Sequence, residues 1–225
     1  MIPDTTQLVS CVMVTQASRV ELAKRAVRCF SEQMYPAREL IVVYDEDFDA
    51  KTVFKAPLGG PRIFPVKAPP GMSLGDLRNY GIARAGGAYI AQWDDDDWHH
   101  PERLQAQLEA LKQAQDADGC CLSRWTLAWP ARDLFTYSYE RLWEGSIVGH
   151  RAKMGIYPAV DKGEDTAQLE GLNITGLDRP DLYVYVVHGN NVWNTEHFES
   201  MFSASEVAHN QLTSEQIATL KARLG

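Results

Sequence analysis

Chemistry is concentrated in the run Gln92-Trp93-Asp94-Asp95-Asp96-Asp97-Trp98-His99-His100-Pro101. Adjacent carboxylates repel one another, and a folded protein keeps such a cluster near its core when a cation neutralises it. Carboxylate oxygens suit hard ions such as Mg²⁺ or Mn²⁺, and Mg²⁺ completes its shell with water and substrate phosphates. In an extended segment alternate residues face the same way, which gives Asp94 and Asp96 one side and Asp95 and Asp97 the other. A bare acidic run is more often a solvated loop. This one is wedged between an apolar strand, a pair of tryptophans and a helix start.

The flanking elements supply that setting. Gly86-Gly87 leads into Ala88-Tyr89-Ile90-Ala91, which reads as a buried strand. Pro101-Glu102-Arg103-Leu104 opens a helix that runs to about Asp116. The aspartates therefore lie at the C-terminal end of a strand, where open α/β sheets bind ligands.

Upstream, Leu8 to Val14 is apolar throughout, as a strand covered on both faces should be. Thr15-Gln16-Ala17-Ser18 is the turn, and a helix follows from Arg19 to Gln33 with Val20, Ala23, Val27 and Phe30 on one stripe. Leu40 to Tyr44 is a second strand running into Asp45-Glu46-Asp47, and this β-α-β order implies parallel pairing. Arg62 to Val66 is a short strand. Ser73 then caps a helix, with Asp76 as a variant of the capping box. The first half is thus a layered α/β sheet.

The second half changes character. Cys121 to Trp129 and Asp133 to Tyr139 alternate or are rich in aromatics and read as antiparallel strands. Gly145 to His150 is a short segment, and Lys162-Gly163-Glu164-Asp165-Thr166 precedes a short helix. Leu182 to Val187 is the last strand, and His188-Gly189-Asn190-Asn191-Val192-Trp193 is the loop after it. From Thr213 a capped helix carries Ile217, Leu220 and Leu224, either as a packed cap or as a contact between copies.

Composition bounds the function. The chain has 225 residues, 45% of them hydrophobic, which is enough for one domain with a sizeable core. A net charge of −8 argues against non-specific binding of nucleic acid or an anionic membrane. Met1-Ile2-Pro3-Asp4 lacks the basic and apolar regions of a signal peptide, and no run reaches the length of a membrane-spanning helix. Cys11, Cys29, Cys120 and Cys121 have no zinc spacing and read as reduced core thiols of a cytoplasmic protein, either free or peripheral to the inner membrane.

Taken together these pieces resemble the family 2 glycosyltransferases of the GT-A fold. The resemblance runs through Val9 to Thr15, Glu39 to Asp45, Leu77-Arg78-Asn79-Tyr80-Gly81-Ile82 and Ala85 to Ile90 into the Asp run. It continues through Gly163-Glu164-Asp165 and His188 to Trp193, all in family order. It implies an α/β fold, a three-layer α/β/α sandwich with a mainly parallel central sheet and a small antiparallel element in the second half. A single domain would span 1–195, with a nucleotide-binding half at 1–118, an acceptor half at 119–195 and a helical tail at 196–225.

The resemblance also implies an activity: metal-dependent transfer of a sugar from a nucleotide sugar, as a UDP-sugar, to a hydroxyl acceptor with inversion, in glycan or cell-surface polysaccharide synthesis. Asp94 and Asp96 match the D-x-D element, with Asp94 and Asp95 toward the nucleotide sugar and Asp94, Asp96 and a late His188 as ligands of Mn²⁺ or Mg²⁺. Asp45 matches the acidic residue that contacts the base, Thr15 lies in the nucleotide-facing turn, and Arg78 matches a basic residue near the diphosphate. Asp165 matches the general base, with Glu164 as its rival. Two departures stand out: Tyr44-Asp45-Glu46-Asp47 replaces Asp-Asp-Gly-Ser, and Thr15-Gln16-Ala17-Ser18 replaces Thr-x-Asn.

Other readings use the same residues. Glu164 and Asp165 also suit the first turn of a helix, Asp45 a turn, Arg78 a surface ion pair and His188 a loop. A nucleotidyltransferase would share the acidic α/β half but show glycines after the first strand, which Thr15-Gln16-Ala17-Ser18-Arg19 lacks. An inactive glycan- or nucleotide-binding relative is the other class, and the intact Asp94, Asp96 and Asp165 speak against it.

Overall fold

The computed structural model describes residues 7–56, 59–207 and 211–224; Met1 to Asp4, the residues read above for a leader, lie outside them. The strands are β1 Val9–Val14, β2 Arg38–Tyr44, β3 Arg62–Lys67, β4 Tyr89–Gln92, β5 Trp98–His99, β6 Gly119–Leu122, β7 Thr126–Trp129, β8 Leu134–Tyr137, β9 Trp143–His150, β10 Ile174–Leu177 and β11 Tyr183–Val186. The helices are α1 Val20–Ser31, α2 Ala50–Val53, α3 Leu74–Ile82, α4 Arg103–Gln113, α5 Glu164–Gln168, α6 Thr195–Val207 and α7 Ser214–Leu224.

The main sheet has seven strands in the order β10-β6-β9-β4-β1-β2-β3. β1 pairs in parallel with both β2 and β4, and β2 with β3, while β9 runs antiparallel between β4 and β6. The apolar runs of β1 and β2 are buried on both faces. Val9, Cys11, Met13, Leu40 and Val42 pack with Ala23, Ala26 and Phe30 of α1 and Leu104, Leu108 and Leu111 of α4. Val12, Ile41, Val43 and Ile90 pack with Leu77 of α3 on the other face. Each such side chain removed from water contributes roughly 1.5–3 kcal/mol, and three layers result.

A second sheet, ordered β5-β11-β7-β8, stands over the C-terminal edge. It has its own core of Trp125, Leu127, Tyr183, Tyr185 and, from α6, Phe198, Met201 and Phe202. The stretch from Cys121 to Trp129, read above as one strand, is divided. β6 stays in the main sheet, and after Ser123-Arg124-Trp125 the chain passes to β7 in the second. Both segments are buried over all four residues. Apolar content alone therefore does not reveal that they serve different sheets. β5, two residues long, and β10 carry too little pattern to be read from sequence.

The tail helix α7 packs down. Leu220 and Leu224 lie against the main core, Lys221 pairs with Asp133 at 2.5 Å, and Gln216 donates to the Tyr137 hydroxyl at 2.8 Å. The cysteines Cys11, Cys29, Cys120 and Cys121 are all free and buried. No helix among the described residues is long and apolar enough to cross a membrane.

One close approach sets the position of α5. Asn79 of α3 brackets Tyr157, donating to its carbonyl at 2.8 Å and accepting from its amide at 3.0 Å. Tyr157 donates in turn to Gln92 Oε1 at 3.0 Å. A side chain at Gly75 would put its Cβ 1.8 Å from the Pro158 carbonyl oxygen. Gly75→Ala should therefore push the 157–163 segment off α3. Overpacking costs typically about 1–3 kcal/mol, a fall of roughly 2–4 °C per kcal/mol for a chain of this size. Thermal unfolding of the variant checks it; an unchanged melting temperature would contradict the close packing.

Candidate active site

Parallel pairing of β1 with both β4 and β2 brings three strand ends to one edge, and Asp94 to Asp97 begin there. The cleft they form holds ≈ 720 Å³ of open space and is walled by Arg19, Arg78, Asp94 to Asp97, Glu164 and Asp165, with Trp143, Tyr185 and Trp193 among its aromatic walls. Its two acidic edges, the Asp run and the start of α5, come from opposite halves of the chain.

The aspartates have separate tasks. Asp94 accepts from Arg78 Nη2 at 3.0 Å and from the Tyr183 hydroxyl at 3.1 Å. Asp95 Oδ1 lies 2.6 Å from Arg19 Nη2, while its Oδ2 is buried without a partner. Burial and the neighbouring Asp96 raise the Asp95 carboxyl to about 7 against the pull of Arg19. Asp96 Oδ2 takes Arg19 Nη2 at 2.5 Å, His188 Nε2 at 2.9 Å and Asn191 Nδ2 at 3.4 Å. Burial opposes its charge, but His188 and Arg19 outweigh that and hold it below the usual carboxylate range. Asp97 faces inward, accepting from the Tyr183 hydroxyl at 2.6 Å and the Val186 amide at 2.9 Å. It staples β11 to the run, and burial beside Asp96 and Asp94 pushes its carboxyl well up.

Behind the run, Arg103 is fully buried. It donates to His99 Nδ1 at 2.7 Å, Gln107 at 3.1 Å and the Gln92 carbonyl at 3.0 Å. Since a guanidinium can only donate, His99 Nδ1 accepts, and the ring proton sits on Nε2, which donates to the Asp94 carbonyl at 3.3 Å. Burial and Arg103 hold His99 well below its ordinary value, so it is neutral. Arg25 Nη2 donates to the Asp96 carbonyl. The backbone of the run is thus held from behind while its carboxylates face the cleft.

Across the cleft, Gly163 takes a left-handed φ of 72° and starts α5. Glu164 is buried and accepts from Arg78 Nε at 3.0 Å. Asp165 lines the cleft, accepts from the Thr166 amide at 2.8 Å and has its carboxyl raised to about 6. Burial is the main cause, opposed by Arg78 and reinforced by Glu164 and Asp94. Of the two acids, Asp165 is the one open to a substrate; Glu164 is spent on an ion pair.

The other expected residues fall as follows. Arg78 is buried, bridges Asp94 and Glu164, and lies 5.7 Å from the Tyr157 ring. His188 meets Asp96 but not Asp94, so the expected trio of Asp94, Asp96 and His188 is not gathered at one point. Among the described residues no three His, Cys, Asp or Glu side chains are grouped as metal ligands. Thr15 is buried at the end of β1 beside Asp95, and neither its hydroxyl nor Asp95 Oδ2 makes a hydrogen bond of good geometry. Asp45 is half-buried after β2 and does not line the cleft. Its neighbour Glu46 accepts from the Ala17 amide at 2.6 Å and ties the two turns together. Arg19, Tyr183 and Asn191 were not singled out by sequence. Only the position of Arg19, next to the turn after β1 that the family resemblance singled out, could have pointed to it.

A family model for glycosyl transferase family 2 matches residues 10–132. The chain belongs to this family. It is 27% identical over 153 residues to the putative colanic acid biosynthesis glycosyl transferase WcaA of Escherichia coli (strain K12). That match covers 67% of this chain and 49% of the relative, so the chain spans about half the relative's length. Among solved structures, S. aureus TarS 1-349 in complex with UDP superposes with a TM-score of 0.62 at 16% identity, over 90% of this chain and 71% of that one. The complex with UDP-GlcNAc gives 0.58 at 15%, over 96% and 71%. These structures share the GT-A type of fold, with its large, mainly parallel sheet.

Arg78→Met should strand the buried Glu164 and the half-buried Asp94. Breaking such a pair costs about 3–5 kcal/mol, and denaturant unfolding should show most of that loss. Arg78→Lys, which cannot serve both acids with one fork, should fall between.

Proposed function

We propose that this cleft transfers a sugar from a nucleotide sugar to a hydroxyl acceptor with inversion, and that Asp165 is the general base. One observation carries the reading: a cleft carboxyl raised to about 6 faces the strand-end aspartates from the other half of the chain. A general base works best with a pKa near the operating pH, and burial beside Glu164 supplies that here.

The donor is a UDP-sugar in this reading; the structural likeness to TarS bound to UDP and UDP-GlcNAc supports the choice. Asp45 and Thr15 would face the base and ribose, and Asp94 and Asp95 the ribose and sugar. Arg78 would lend positive charge to the diphosphate while holding Asp94 and Glu164 in place. Asp96 and His188, with the unpartnered Asp95 Oδ2 at their side, offer oxygen and imidazole donors that suit Mn²⁺ or Mg²⁺. Bound there, the ion would neutralise charge developing on the departing diphosphate. Asp165, on the far side, would take the acceptor proton as the hydroxyl attacks, which makes displacement in-line. The acceptor is a growing glycan of a cell-surface polysaccharide, a role supported by the likeness to a colanic acid biosynthesis enzyme. The reaction belongs to the cytoplasm, in keeping with four free, buried thiols.

Asp165→Asn should lower turnover about 10²- to 10⁴-fold and leave UDP affinity, measured by calorimetry with Mn²⁺, near that of the parent. Asp96→Ala should lose both together. Glu164→Gln being severe while Asp165→Asn is mild would reverse the assignment. Because the base must be ionised, kcat should climb as pH rises through about 6 and level off above it. Asp165→Asn should abolish that limb. NMR of the product's anomeric proton checks the stereochemistry, and retention would rule out direct displacement.

A further inference from the structure

Arg19 lies in the turn Ala17–Arg19 that joins β1 to α1. Its side chain is only 15% exposed, and one nitrogen, Nη2, lies 2.6 Å from Asp95 Oδ1 and 2.5 Å from Asp96 Oδ2. One carboxylate oxygen each of Asp95 and Asp96 is therefore already bridged by a guanidinium. Asp96 Oδ2 is further occupied by His188 Nε2 at 2.9 Å and Asn191 Nδ2 at 3.4 Å. A carboxylate oxygen can only accept here, so His188 Nε2 carries the proton it shares with Asp96. Its Nδ1 faces the Asn190 amide at 3.3 Å. Of the three expected ligands, Asp96 and His188 are thus engaged with each other, and Asp94 is held by Arg78 and Tyr183.

The remaining atoms point to a second position for Arg19. Its Nε is buried and unpartnered, and so is Asp95 Oδ2 in the same cleft. Orphaned buried polar atoms are costly and rare, and a donor substrate would pair them. A guanidinium fork also matches diphosphate oxygens in two-pronged geometry.

We propose that Arg19 is an internal counter-cation that keeps Asp95 and Asp96 closed to a metal ion alone. It leaves them when a nucleoside diphosphate enters, turning its fork to the phosphates and freeing Asp95 and Asp96 for the ion. Metal and nucleotide then bind as mutually dependent partners, because any factor by which the nucleotide tightens the metal also applies in reverse. Arg19 is a positioning residue for both. The inference rests on the donor-site reading above, and metal titration without nucleotide separates the two.

The test is Mn²⁺ binding followed by electron paramagnetic resonance, with and without UDP, for the parent, Arg19→Gln and Arg19→Lys. The parent should bind Mn²⁺ alone weakly, and UDP should tighten it at least tenfold. Arg19→Gln should bind Mn²⁺ alone at least tenfold more tightly than the parent, with the UDP effect reduced by a similar factor. Its melting temperature should also rise more on adding Mn²⁺ to EDTA-treated protein. Arg19→Lys, a single point charge, should lie between, and it decides the matter if the Gln variant does not fold. Equal Mn²⁺ affinity of the parent and either folded variant, without UDP, would overturn the proposal. No effect of UDP on Mn²⁺ in the parent would overturn the proposal together with the donor-site reading on which it rests, whereas equal affinities without UDP leave that reading standing.

Discussion

The site depends on one buried ion pair network. Arg78 reaches from α3 to Asp94 on one side and Glu164 on the other, each at 3.0 Å. It is one of the bonds between distant parts of the chain: Asp94 follows β4 in the first half, and Glu164 opens α5 in the second. Ion pairs of this kind add little net stability, since desolvation offsets attraction. Their value is positional. With both acids bound to one planar fork, the neighbouring Asp165 is held at a set place across the cleft from the aspartates.

Charge compensation is local throughout. Arg19 answers Asp95 and Asp96, Arg78 answers Asp94 and Glu164, and Tyr183 with the Val186 amide satisfies Asp97. Without such partners, four adjacent carboxylates in a buried site would protonate or force the loop into water. Asp95 and Asp97 are the ones pushed upward, and Asp96, with the most cationic company, is pushed down. The run is thereby divided: Asp94 is paired with Arg78, Asp95 is raised, Asp96 is held down, and Asp97, also raised, is a structural staple. Residue type alone does not distinguish them.

The scaffold behind the cleft is tied by buried hydrogen bonds. Arg103 holds His99, Gln107 and the Gln92 carbonyl beneath Trp93. α7 closes the same side, where Arg223 covers Trp98 at 4.8 Å and Arg25 touches the Leu224 carbonyl at 3.5 Å. The front of the cleft is more open: Val192 and Trp193 are 49% and 40% exposed on the loop after β11. The cleft thus has a buried, hydrogen-bonded back and an accessible front.

By itself, the sequence determined the layered first half. Continuous apolar runs at Val9–Val14 and Leu40–Tyr44, helix stripes between them and a capping Ser73 are local signals, set by periodicity and backbone chemistry. The placement of Asp94 to Asp97 at a strand end followed from the same signals, and so did a short helix near Thr166, which the structure begins two residues earlier at Glu164. Tertiary structure alone decided the rest. The division of 121–129 between two sheets depends on which neighbours each segment pairs with, not on its own composition. The tail from Ser214 is a packed cap because Leu220 and Leu224 find the main core. The separation of Asp94 from the Asp96–His188 pair depends on where Arg78, Tyr183 and Arg19 arrive from distant parts of the chain. Contacts across such separations leave no period or spacing in the sequence, so only the folded chain reveals which carboxylate each cation serves.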